Sequence, residues 1–160
     1  MPQPMHDKRI TDFWTRACAA VPSMPPGAAY QVWHFGDGAA LAHELAELVL
    51  RGPKRATAGL LWEAESDPNA MPMLGGYSVV TDGGGAPLMV LRTAQVEIRP
   101  FAAVDADFAA AEGEGDGSLE YWRAAHWDYF SRRCEVLGRP ASEDMPVILE
   151  RFDLVYPVKP

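Results

Sequence analysis

The stretch Gly75-Gly76-Tyr77-Ser78-Val79-Val80-Thr81-Asp82-Gly83-Gly84-Gly85, with the apolar run from Pro87 to Ile98 behind it, decides what kind of sheet this chain builds. β-Branched and aromatic residues flank an Asp-Gly turn, which is the pattern of an antiparallel hairpin. Pro100-Phe101 closes the second strand. Upstream, Tyr30-Gln31-Val32-Trp33-His34-Phe35 has a strand's composition, and downstream so does Val147 to Tyr156. The run Ala58-Gly59-Leu60-Leu61-Trp62 reads as a further short strand, followed by a polar loop from Glu63 to Asn69.

Helices fall between these strands. Ile10, Phe13, Trp14, Ala17, Cys18 and Val21 recur at helical spacing over Asp7 to Val21, ahead of a Pro-rich linker. Leu41, Leu45, Leu48 and Val49 form one face of a helix near Ala39 to Arg51, which Asp37 or its neighbours can cap and Gly52-Pro53 stops. A short helix is expected over Val104 to Ala111. The longest runs from Leu119 to Leu137, with Glu120 in its first turn and Gly138 at its end. A hairpin within a mixed order of elements argues against a doubly wound parallel sheet. The expected fold is α+β, with about five strands closed into a small mixed or antiparallel β-barrel and helices outside it. Residues 1–29 read as an N-terminal helix and linker packing on a core domain of residues 30–160.

A chain of 160 residues with 48% hydrophobic and 22% charged residues is long and apolar enough for one folded domain. No run approaches the roughly 20 apolar residues of a membrane helix, and no secretory signal is visible. A cytoplasmic protein without a membrane partner is therefore expected, with Cys18 and Cys134 as reduced thiols. The net charge of -8 excludes a broad basic face that coats duplex DNA. It leaves room for one nucleotide or a small nucleic acid in a local pocket. His6, His34, His43 and His126 show no paired metal spacing. No metal and no cofactor are expected.

Chemistry concentrates on the turn Gly52-Pro53-Lys54-Arg55-Ala56-Thr57, where helix must give way to strand. A threonine hydroxyl becomes a nucleophile when a base takes its proton, and a neutral lysine is such a base. The neighbouring charges of Arg51 and Arg55 favour that neutral form. In Ala111-Glu112-Gly113-Glu114-Gly115-Asp116, glycines beside acids permit a ligand to approach closely, and one acid can protonate a leaving amine. Trp33, Phe35, Trp62, Tyr77, Trp122 and Trp127 offer stacking faces for a base, although most aromatics at these spacings are core. Arg123, His126, Ser131 and Arg132 on the long helix are candidates to meet a phosphate or sugar.

Several of these stretches together resemble the ASCH domain. They are Phe35-Gly36-Asp37, Gly52-Pro53-Lys54-Arg55-Ala56-Thr57, Leu61-Trp62-Glu63, Gly76 to Val80, Ala111 to Asp116, Ser118 to Arg123 and Met145-Pro146-Val147. The resemblance spans Tyr30 to Tyr156 and implies a PUA-like fold with a cleft. It implies a protein acting on RNA or a modified nucleoside, most directly an amidohydrolase that removes an acyl group from an acetylated cytidine-like nucleoside. By that motif Lys54, Thr57 and Glu112 are the catalytic set, with Glu114 the second choice for the acid. Arg55, Trp33, Phe35, Trp62, Tyr77, Glu114, Arg123 and Ser131 are the expected substrate-binding residues. A metal-independent ribonuclease, in which Ser131 or Tyr77 assists Lys54, and a non-enzymatic RNA- or nucleotide-binding module are the alternatives.

Overall fold

The computed structural model describes residues 7–67 and 70–158. Elements follow in the order α1 (Lys8–Ala20), β1 (Tyr30–Trp33), α2 (Ala39–Arg51), β2 (Ala56–Leu60), α3 (Leu61–Ser66), β3 (Tyr77–Thr81), β4 (Pro87–Pro100), α4 (Ala106–Glu112), α5 (Leu119–Leu137) and β5 (Pro146–Tyr156). A 3-10 turn, Phe101–Ala103, links β4 to α4. The five strands form one sheet in the order β1-β3-β4-β5-β2. Only the β1–β3 pair is parallel; the other three ladders are antiparallel.

The sheet is open, which corrects the expected closed barrel. The edge strands β1 and β2 hold four and five residues, and α2 connects them. Leu45, Ala46 and Val49 of α2 pack on Val80, Met89, Leu91 and Phe152 of the sheet. The connection thus buries its own apolar face against the sheet instead of letting the two edges meet. Two more clusters complete the core. Trp122, Phe130 and Cys134 of α5 pack with Phe108 of α4, Leu60 of β2 and Val147 and Leu149 of β5. Ile10, Phe13, Trp14 and Ala17 of α1 cover Val79 and Val90. The N-terminal helix is therefore part of the core packing around β3 and β4.

The strand expected at Ala58 to Trp62 lies earlier, at Ala56–Leu60, and Leu61 begins α3 where a strand and then a loop were expected. Leu60-Leu61-Trp62 is an apolar run that fits either period, and packing decides it. Trp62 lies against the α5 cluster, and Ala64 is buried. Pro68 and Asn69 of the expected loop lie outside the described residues. Asp37 does not cap α2, whose first residue follows Gly38 with no side-chain cap; its carboxylate instead takes Arg132 of α5. Cys18 and Cys134 are free thiols.

The turn after α2 is tied from several sides. Gly52 ends the helix at φ 140°, donating its N–H to Leu48 O. Arg55 donates from its side chain to Val49 O and Lys54 O, so it caps the helix end from outside. Its backbone N–H bonds to Ala111 O at 2.8 Å, fastening the turn to α4. Gly113 ends α4 at φ 64°, and a Cβ there would lie 2.9 Å from Pro53 backbone carbon. At Gly117 the φ is 77° but a Cβ would meet nothing within 4 Å. We therefore expect Gly113→Ala to destabilise the fold by about 2–4 kcal/mol and Gly117→Ala by about 1 kcal/mol, because only the first adds a clash to the backbone strain. Urea unfolding of the two variants checks the difference.

Candidate functional site

The turn and the end of α4 together deliver two opposite charges into the interior. Lys54 and Glu112 are each 1% exposed, and Lys54 Nζ donates to Glu112 Oε1 at 2.9 Å. The same ammonium donates to Ala56 O at 2.8 Å and lies 3.5 Å from Glu114 Oε2. Its face toward β1 meets the Phe35 ring, 5.5 Å from nitrogen to centroid. Such a pair is tolerable in the interior only when its charges are mutually satisfied and its remaining valences are bonded. Here they are.

Helix α5 supplies the rest. Trp122, His126, Phe130 and Cys134 recur every four residues and form its buried stripe. Trp122 Nε1 donates to Glu112 Oε2, and His126 Nε2 lies 3.0 Å from the same oxygen. The Trp122 and His126 rings stack at 4.2 Å, and His126 Nδ1 is 2.9 Å from Trp122 O. Burial works to raise the Glu112 carboxyl, but Lys54 and His126 prevail and hold it far below the usual carboxylate range. Burial works to lower the His126 imidazole, and the Glu112 and Glu114 charges carry it above its ordinary value instead. Glu114 is raised, first by burial and then by the charge of Glu112, against the opposing pull of Lys54.

This network floors a cavity of about 450 Å³, a size typical of small-molecule sites. Trp33, His34 and Phe35 from the end of β1, Leu41, Leu45 and Leu48 from α2, and Tyr121, Ala125 and Tyr129 from α5 line it. Thr57 of β2 and Glu150 of β5 stand on the sheet wall, directly opposite one another in the β2–β5 register. Tyr129 is pushed up to about 12, chiefly by burial and then by the Glu63 charge, so it remains a phenol. At the edge, Arg132 is held by Asp37 and Asp128, and Glu63 by Arg133.

Of the residues singled out from sequence, Lys54, Thr57, Glu112, Glu114, Trp33, Phe35, His126 and Arg132 meet at this cavity. Arg55, Trp62, Tyr77, Trp122, Arg123, Trp127 and Ser131 do not line it. Arg55 is spent on the carbonyls at the end of α2. Trp62 packs outside, with the Arg139 guanidinium 4.4 Å above its ring. Tyr77 packs edge-on to Trp14 beneath α1. Arg123 is exposed on α5, and Ser131 is half-buried beyond the lining. Lys54 Nζ and Thr57 Oγ1 are not hydrogen-bonded to each other among the described residues.

Sequence reasoning missed Glu150, Tyr129 and the pairing of His126 with Glu112. The Trp122–His126 spacing of four, opposite an acid in a glycine-rich turn, was the available signal for that pairing. Ligand atoms of Glu112, Glu114 and His126 lie within 4.8 Å of one another, as a metal site requires. The Lys54 ammonium already sits against both carboxylates, so a divalent ion would have to displace it.

A family model described as the ASCH domain matches residues 31–156. This chain belongs to the ASCH domain family. Its structure is similar to a crystal structure of an ASCH domain from Lactobacillus crispatus JV V101, with a TM-score of 0.85 and 34% identity over 94% of this chain and 96% of that one. It is also similar to protein EF3133 from Enterococcus faecalis V583, with a TM-score of 0.78 and 30% identity over 93% and 91% of the two chains. Hypothetical protein PH0355, 12% identical with a TM-score of 0.52 over 78% and 97%, shares the fold alone. No curated protein sequence matches significantly. The ASCH assignment brings with it the PUA-like architecture, here with an open sheet.

The raised His126 has a consequence for pH. A histidine raised on folding contributes stability that is complete below its ordinary pKa and is lost as pH rises through the folded value. The stability gap between wild type and His126→Gln is therefore expected to shrink as pH rises above neutrality. Nitrogen-15 NMR of the imidazole should show His126 titrating above the ordinary histidine value, and Glu112→Gln should bring it down.

Proposed function

We propose that this ASCH protein is an amidohydrolase that removes an acyl group from the exocyclic amine of a cytidine-like nucleoside. The observation that carries the reading is the buried Lys54–Glu112 pair at the floor of a nucleoside-sized cavity that Thr57 also lines. An ion pair and a neutral pair hold the same number of protons. Moving one proton across the 2.9 Å from Lys54 Nζ to Glu112 Oε1 yields an amine that can act as base and a carboxylic acid that can act as acid.

The free site strongly favours the ion pair, because Glu112 is held far below the usual carboxylate range, first against burial by Lys54 and then by His126. Substrate that fills the cavity and expels water shifts that balance toward the neutral pair. The Lys54 amine then takes the Thr57 proton as Oγ1 attacks the acyl carbon. Glu112 gives its proton to the departing amine, and the C–N bond breaks. Water, deprotonated by the Glu112 carboxylate, attacks the resulting ester; the C–Oγ1 bond breaks, the Lys54 ammonium returns its proton to Thr57 Oγ1, and the acid is freed with the neutral pair regenerated. The Trp33 and Phe35 rings supply apolar surface for the base.

Two features of the lining support this reading over RNA cleavage or RNA binding. Acids outnumber basic groups: Glu44, Glu63, Glu112, Glu114, Asp128 and Glu150 stand against Lys54, His126 and Arg132. All three are already engaged by carboxylates. A phosphodiester backbone would need free positive charge. No helix among the described residues is long and apolar enough to cross a membrane.

Incubating the protein with acetylated cytidine and following release of cytidine by chromatography tests the proposal. Turnover is expected, with Thr57→Ala and Lys54→Met each lowering kcat by about a hundredfold or more. Full activity of Thr57→Ala would remove the nucleophile, and cleavage of labelled RNA in EDTA without deacylation would favour the ribonuclease.

A further inference from the structure

Glu150 is a buried carboxyl that the proposed chemistry does not use. It lies on β5, 6% exposed, between Ile148 and Phe152 on the face turned to the cavity. Thr93 Oγ1 of β4 donates to its Oε2 at 2.6 Å. No lysine, arginine or histidine forms an ion pair with it among the described residues. Burial pushes its pKa up, and the Thr93 hydrogen bond offsets only part of that. The cavity therefore holds two buried acids with opposite tuning. Glu112 is kept ionised by Lys54 and His126, while Glu150 stands without a counter-charge.

Burying a carboxyl without a cation is costly unless the group is neutral or meets a ligand. A neutral carboxyl presents an O–H donor and a C=O acceptor side by side. That pair is complementary to an amidine edge, in which a ring nitrogen acceptor lies next to an exocyclic N–H. An acylated cytosine keeps that edge, because its amine retains one hydrogen. Register adds the second constraint. Glu150 is directly opposite Thr57, and such pairs place their Cβ atoms about 4.5–5.5 Å apart. The exocyclic nitrogen is one covalent bond from the acyl carbon, so an N–H bonded to Glu150 sets that carbon next to the Thr57 hydroxyl.

We propose that Glu150, braced by Thr93, is the residue that reads the substrate's base, pairing with its amidine edge and so aiming the exocyclic acyl group at Thr57. This rests on the deacylase reading of the cavity for its substrate class, but binding tests it apart from turnover. Glutamine offers the same donor and acceptor without ionising, and its amide can still accept the Thr93 bond. Alanine offers neither.

The experiment is calorimetric titration of cytidine, of a deazacytidine lacking the ring nitrogen and of a dimethylated cytidine lacking the exocyclic N–H. The proteins are wild type, Glu150→Gln and Glu150→Ala, each first shown to unfold cooperatively. Cytidine is expected to bind wild type and Glu150→Gln within about threefold of each other, and Glu150→Ala about tenfold or more weakly. Each altered base should cost wild type about tenfold and Glu150→Ala little, since the partner is already gone. Equal losses in wild type and Glu150→Ala, or no cytidine binding by wild type, would overturn the inference. So would Glu150→Gln behaving like Glu150→Ala, which would mark a charged carboxylate. A protein that shows the expected binding pattern yet deacylates nothing would defeat the deacylase reading alone.

Discussion

The buried salt bridge between Lys54 and Glu112 is the constraint to which the rest of this site answers. Removing an ammonium and a carboxylate from water costs several kcal/mol for each ion. The fold offsets that cost by surrounding both with partners: Ala56 O and Glu114 for the lysine, Trp122 and His126 for the glutamate. Those partners come from β2, the turn after α4, and α5. The pair therefore clamps three elements that are far apart in sequence. The Arg55–Ala111 backbone bond and the close approach of Gly113 to Pro53 hold the same junction from outside.

That clamp also explains why there is a cavity. Helix α2 leaves β1 and returns to β2 across the sheet, so its apolar face covers Val80, Met89, Leu91 and Phe152. Helix α5 packs on Leu60 of β2 and on Val147 and Leu149 of β5. Between the two helices, the end of β1 and the outer part of the sheet face one another without filling the gap. The ionic network is the polar floor of that gap, while Trp33, Phe35 and the leucines of α2 are its apolar sides. A ligand with a flat aromatic body and one polar, reactive end matches this division of surfaces.

Local rules carried much of the fold. Helices α2 and α5 begin and end where expected because Gly52-Pro53, Ser118 and Gly138 are strong local signals. The β3–β4 hairpin follows from its Asp-Gly turn. Closure of the sheet was not a local matter, since it depends on where α2 packs. The fate of Leu61-Trp62 was not local either, because an apolar pair fits a helix or a strand equally well. At the site, Lys54, Thr57 and Glu112 were legible through motif and turn chemistry. Trp62, Tyr77 and Arg55 were singled out by residue type, and residue type is silent on direction. Glu150 was illegible for the converse reason: one acid in an apolar strand reads as the solvent side, and only the pairing of β5 with β2 and β4 turns it inward.

In the proposed reaction the Lys54–Glu112 floor receives the reactive end of an acylated base. A crystal structure of the Thr57→Ala protein with acetylated cytidine tests it most directly. The acyl group is expected within hydrogen-bonding reach of Lys54, the base against Trp33 and Phe35, and the sugar toward Arg132 and Asp128. Acetylated cytidine bound with its acyl group at the mouth and its sugar on the Lys54 floor would contradict it.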